Sequence, residues 1–143
     1  MYGWPAYPYD DNISFCSKLN LGGGIAYVID SGIFIDHPEF KGRAKWGYKH
    51  DPMWPNDDVC GHGTHVAGII GGQKYGVQKE ATLIAVKVLE GSNAACQGTW
   101  AGVIAGLNWT YNDAVENKSI KQSVINMSLS MQHLLTGVLG LTG

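Results

Sequence analysis

No run of lysine or arginine occurs anywhere in the 143 residues, and charged side chains make up only 15% of them, with a formal net charge of -2. A chain of this kind has no electrostatic footprint for nucleic acid or for an anionic membrane, and neither is expected as a partner. No apolar segment reaches the roughly 18 to 20 residues that a membrane helix needs. Residues 1–12 lack the basic start and apolar core of a signal peptide. Cysteine is scarce. Cys16, Cys60 and Cys96 are odd in number and show no Cys-x-x-Cys spacing, so they allow at most one internal disulfide and leave one thiol over.

What is present is apolar character, 45% of the chain, and 20 glycines that form no repeat. The length suits one domain with a real core. Residues 1–24 hold Tyr2, Trp4, Tyr7, Tyr9 and two prolines before a triple glycine at 22–24, and read as an extended arm and loop. That triple glycine precedes a strand rather than opening a helix, so it lacks the geometry of a phosphate-binding loop. The run Ile25-Ala26-Tyr27-Val28-Ile29 is continuously apolar and stops at Asp30-Ser31-Gly32, as a strand buried on both faces does.

Residues 36–40 suit a single turn, and residues 44–48 a second short strand. A helix is expected from His62 to the paired glycines at 71–72. A further strand is expected over 82–89, then a loop over 90–98. Apolar spacing of three, four and seven predicts a helix over residues 99–117 with Thr99 as N-cap, and residues 123–129 read as another strand. Strand, helix, strand, helix, strand is the order of a parallel sheet with helices on both faces, a three-layer α/β/α arrangement. Ligands of such sheets gather beyond the carboxyl ends of the strands, where Asp30 and the helix that starts at His62 both fall.

A histidine backed by a carboxylate is the orienting half of a nucleophilic triad, since the carboxylate fixes the imidazole tautomer and stabilises the imidazolium. The same residues have a plainer reading, with Asp30 capping a turn and His62 satisfied by backbone. Spacing leaves both open. Cys60, His62 and His65 lack the further ligand pair a zinc site requires, so no metal is expected. His65 is expected to pack beneath the site. Of the Asn-x-Ser/Thr patterns at Asn12, Asn108, Asn117 and Asn126, only Asn12 and Asn117 lie outside segments expected to be buried.

Taken in order, Tyr27-Val28-Ile29-Asp30-Ser31-Gly32, His37-Pro38-Glu39-Phe40, Gly61-His62-Gly63-Thr64-His65-Val66-Ala67-Gly68, Tyr75-Gly76-Val77, Val86-Lys87-Val88-Leu89 and Ile125-Asn126-Met127-Ser128-Leu129 closely resemble the subtilisin-like serine proteases, in particular the proteinase K and fungal alkaline protease branch. The resemblance implies about the first half of that catalytic domain over residues 25–130, followed by a non-matching tail over 131–143. It implies an extracellular serine endopeptidase with Asp30 as triad aspartate and His62 as general base. Gly61, Gly63 and Thr64 would shape the turn that presents His62. Ser128 and Leu129 would bind a polypeptide substrate as a strand edge.

Several family features are absent from the 143 residues: the oxyanion asparagine, the Gly-Thr-Ser-Met-Ala block of the nucleophile, a secretion signal and a pro-segment. Ser130 stands where the family continues with glycine. The cysteine positions do not match the disulfides expected of the branch, so no pairing is assigned. No cofactor is expected in this chain, although the resemblance leaves room for calcium in the full-length family. The expectation is a serine-type endopeptidase cut short before its nucleophile and inactive alone, with a catalytically dead half-domain that pairs through its sheet edge as the alternative.

Overall fold

The computed structural model describes residues 23–92 and 95–130. The expected arm, apart from Gly23 and Gly24, and the expected tail lie outside the described residues. In chain order come β1 (Ile25–Asp30), a 3-10 turn (Pro38–Phe40), β2 (Ala44–Lys49), α1 (His62–Gly71), β3 (Thr82–Lys87), the short strands β4 (Glu90–Ser92) and β5 (Ala95–Gln97), α2 (Trp100–Glu116), and β6 (Ser123–Asn126). Four strands form one parallel sheet in the order β2-β3-β1-β6. The first strand of the sequence therefore sits inside the sheet, which is why it has no polar alternation.

Successive side chains of a strand point to opposite faces, and the two cores follow that parity. Ala26 and Val28 of β1 join Leu83 and Ala85 of β3 under Val66 and Ala67 of α1. On the other face Tyr27, Ile29, Ile84 and Val86 pack with Val103 and Ala114 of α2, and Trp109 stacks on Tyr48 and meets Tyr27 edge-on. Helix, sheet and helix make the expected three layers.

Some local expectations are corrected. Within the expected loop over 90–98, Glu90–Ser92 and Ala95–Gln97 are paired antiparallel strands, with Glu90 opposite Gln97 and Gly91 opposite Cys96. β3 ends at Lys87 instead of residue 89, because Val88 and Leu89 both donate their N–H to the carbonyl of Asp30 (2.8 and 3.3 Å) and leave the ladder. β6 stops at Asn126 instead of residue 129, where its register with β1 ends at Val28. Asn108, expected to be buried, is exposed on the outer face of α2.

Parallel strands place all their carboxyl ends on one rim. Asp30, Lys87 and the segment after Asn126 therefore share an edge of the sheet with the start of α1, and the site is assembled there.

Candidate active site

β1 delivers Asp30 to that rim with its side chain fully buried. Its Oδ1 accepts the N–H of Ser31 at 2.7 Å. His62, the first residue of α1, brings Nδ1 to 2.8 Å from Oδ1 and 2.9 Å from Oδ2 of the same carboxylate. The imidazole side chain is 41% exposed while the carboxylate is not exposed at all, so the pair faces outward from a dry base.

The approach depends on glycine at two places. Gly61 caps α1 with φ +76°, a left-handed conformation that a β-carbon disfavours. A β-carbon on Gly63 would lie 2.0 Å from the carbonyl oxygen of Gly32 and 3.2 Å from Cβ of Asp30, so only glycine lets the first turn of α1 touch the end of β1.

Asp58 fastens that turn. Its Oδ1 accepts the Gly61 N–H at 3.0 Å and the Ser31 hydroxyl at 2.7 Å, while Oδ2 accepts the Thr64 N–H at 2.8 Å and the Thr64 hydroxyl. Ser31 Oγ in turn accepts the Gly63 N–H at 3.0 Å, and Thr64 Oγ1 accepts the Phe34 N–H at 2.9 Å. A carboxylate at a helix N-terminus satisfies orphan amides and opposes the positive end of the dipole. The loop that carries Asp58 is pinned by buried Lys87, whose ammonium donates to the Asp57 carbonyl at 2.8 Å and pairs with Glu90 at 2.9 Å.

A covalent link completes the frame. Cys60 and Cys96 form a disulfide with Cα atoms 6.1 Å apart, which joins the residue two before His62 to the β4–β5 hairpin. The sequence assigned no pairing. Cys16 lies outside the described residues.

Ser128 and Leu129 follow β6 on the same rim. Ser128 is exposed and donates its hydroxyl to Oδ1 of Asn126 at 3.0 Å, and Leu129 packs against the core on the α2 side. His65 does not lie beneath the site. It is exposed on the outside of α1, where it lines a cavity of about 320 Å³ with His37, Phe40, Ile69 and Tyr75. Among the described residues no group of three or more His, Cys, Asp or Glu side chains is arranged to hold a metal ion.

Sequence reasoning missed Asp58, Ser31 as its partner, and the disulfide. An acidic residue just ahead of an expected helix start is a known capping signal and would have drawn attention to Asp58. Chemically, a buried carboxylate on Nδ1 fixes an imidazole with its proton on that nitrogen, and so shapes Nε2 as a proton acceptor.

Residues 25–137 match the Subtilase family, Peptidase S8. The chain is 52% identical over 109 residues to Subtilisin-like protease 5 of Arthroderma otae, covering 76% of this chain and 27% of that protein. It is 40% identical over 131 residues to Subtilisin-like protease 3 of Pseudogymnoascus destructans, covering 92% of this chain and 30% of that protein. Among solved structures it is similar to a cold-adapted subtilisin-like serine proteinase, with a TM-score of 0.62 and 44% identity, over 76% of this chain and 37% of the other. The chain thus spans less than a third of the length of these curated relatives.

Proposed function

The chain belongs to the Subtilase family, and on that premise we propose that it supplies the aspartate–histidine part of a secreted serine endopeptidase site. Asp30 holds the Nδ1 proton of His62 and stabilises the imidazolium. His62 takes the proton of a serine hydroxyl as that oxygen attacks the peptide carbonyl, then returns it to the leaving amine. The serine, with the donors that stabilise the oxyanion, comes from polypeptide beyond the sequence present here. The segment Ser128-Leu129 receives the substrate in extended form as an added strand. The observation that carries this reading is the pair of contacts of 2.8 and 2.9 Å between His62 Nδ1 and a fully buried Asp30.

By itself the 143-residue chain does not hydrolyse peptides, because it contains no Gly-Thr-Ser-Met-Ala block. In subtilisin, loss of the nucleophile alone costs on the order of a million-fold in turnover. A serine-directed phosphonate probe tests this on the purified chain. No stoichiometric labelling is expected; labelling abolished by His62→Ala would overturn it.

A second reading has its own support. β6 lies at the sheet edge among the described residues, with Val124 58% and Ile125 44% exposed. Such an edge takes a further strand, and a half-domain that binds another chain there without catalysis would use the same surface. Reconstituted activity separates the two readings.

A further inference from the structure

We propose that Asn117 is an N-glycosylation site, a reading that rests on the extracellular placement proposed above. The sequence offers four Asn-x-Ser/Thr patterns, and the fold sorts them. Asn12 lies outside the described residues. Asn126 is paired with Val28 in the β1–β6 ladder, and its Oδ1 already accepts the Ser128 hydroxyl at 3.0 Å. An oligosaccharide there would stand on the rim that carries Asp30 and His62, in the segment proposed to receive substrate. Asn108 is exposed but stands in the middle of α2, so a glycan attached there before folding has to be carried through formation of the helix.

Asn117 meets none of these obstacles. It is exposed and is the first residue beyond α2, and the chain reverses at Lys118 with φ +54°. Asn117 lies outside every strand ladder. The side-chain Nδ2 makes a hydrogen bond to the Asp113 carbonyl at 2.8 Å.

In the transfer, Nδ2 attacks the anomeric carbon of an oligosaccharide carried on a lipid pyrophosphate. The nitrogen–carbon bond forms, the carbon–oxygen bond to pyrophosphate breaks, Nδ2 gives up one proton to solvent, and the lipid pyrophosphate leaves. The amide keeps its other N–H, enough to retain the bond to Asp113. Ser119, whose hydroxyl completes the acceptor pattern, is 7% exposed, so transfer precedes folding and the folded chain has only to leave Asn117 in water.

The position also suits the site. α2 runs back from the carboxyl rim of the sheet, and Ser123 after it pairs with Ile25, at the opposite end of β1 from Asp30. At about 3.3 Å per residue, those ends lie roughly 17 Å apart. A glycan on Asn117 therefore projects from the rim away from His62.

The test translates the full chain behind a heterologous secretion leader in the presence of endoplasmic-reticulum microsomes, and takes the leader-cleaved, protease-protected population. Deglycosylation by an amidase in oxygen-18 water should convert Asn117 to labelled Asp in the corresponding peptide. Asn117→Gln should remove the glycoform that carries that label, and Lys118→Pro, which blocks the acceptor pattern without touching Asn117, should do the same. Protected chain with an unmodified residue 117, or with glycan at Asn12, Asn108 or Asn126 only, would overturn the assignment. Cytosolic retention of the natural product alongside efficient transfer to Asn117 in microsomes would support the acceptor and contradict the extracellular reading.

Discussion

The imidazole of His62 stands over a carboxylate that water does not reach, with Nδ1 at 2.8 Å from Oδ1 and 2.9 Å from Oδ2 of Asp30. Neutral His62 therefore carries its proton on Nδ1. Replacing the carboxylate by an amide that can offer its own N–H, Asp30→Asn, should move the proton to Nε2. Nitrogen-15 chemical shifts of the His62 ring check this, with the two ring nitrogens exchanging their protonated and unprotonated signatures between the parent and the variant.

Gly63→Ala should displace the first turn of α1, because its β-carbon has to fit 2.0 Å from the Gly32 carbonyl oxygen. Overpacking against backbone of this kind costs about 3 kcal/mol. Gly68→Ala, in the same helix and with no neighbour within 4 Å of its β-carbon, should stabilise by about 0.8 kcal/mol through helix propensity. Urea denaturation of the two variants should give changes of opposite sign.

Asp58→Ala removes the acceptor for two amides and two hydroxyls at the junction of β1 and α1. A loss of about 2 kcal/mol is expected, at the upper end for a helix cap. Asp58→Asn, which keeps an acceptor oxygen, should lose less. Thermal unfolding of the pair, read by circular dichroism, checks the order.

Cys60 and Cys96 close a loop with a sequence separation of 36. Chain-entropy reasoning puts the stabilisation at about 4 kcal/mol. Reductant should lower the melting temperature of the parent chain and leave a Cys60→Ala, Cys96→Ala double variant unchanged.

Burial, followed by the hydrogen bond to Asp113 at 2.6 Å, pushes the Tyr27 phenol up to about 12 from an ordinary 10.0. The folded state thus holds the phenolic proton more tightly than the unfolded chain does. Its contribution to stability is complete below about pH 10 and is lost as pH rises from there to about 12. Denaturation midpoints between about pH 9 and pH 12 should fall more steeply for the parent than for Tyr27→Phe.

Much of this architecture was legible because β1 and β3 are continuous apolar runs and α2 has a clean helical period with Thr99 at its start, whose side chain caps the Gly102 N–H at 3.1 Å. Asp30 and His62 were legible for a similar reason, each marking the end or the beginning of such an element. What escaped was long-range. Nothing local tells Cys60 to meet Cys96, and the strand pair Glu90–Ser92 and Ala95–Gln97 is held by that link and by Lys87 rather than by strand-forming side chains. His65 was misplaced because helical spacing gives a face but not what covers it, and the structure leaves that face of α1 exposed.

The most direct test of the central claim joins this chain to the polypeptide that follows the matched region in Subtilisin-like protease 5 of Arthroderma otae, and measures phosphonate labelling and peptide hydrolysis. The hybrid should be labelled on the serine of the added part. Asp30→Asn should lower hydrolysis on the order of 10⁴-fold, and His62→Ala on the order of 10⁶-fold. A folded hybrid whose activity is indifferent to His62, or an equal rate from the 143-residue chain alone, would contradict the account.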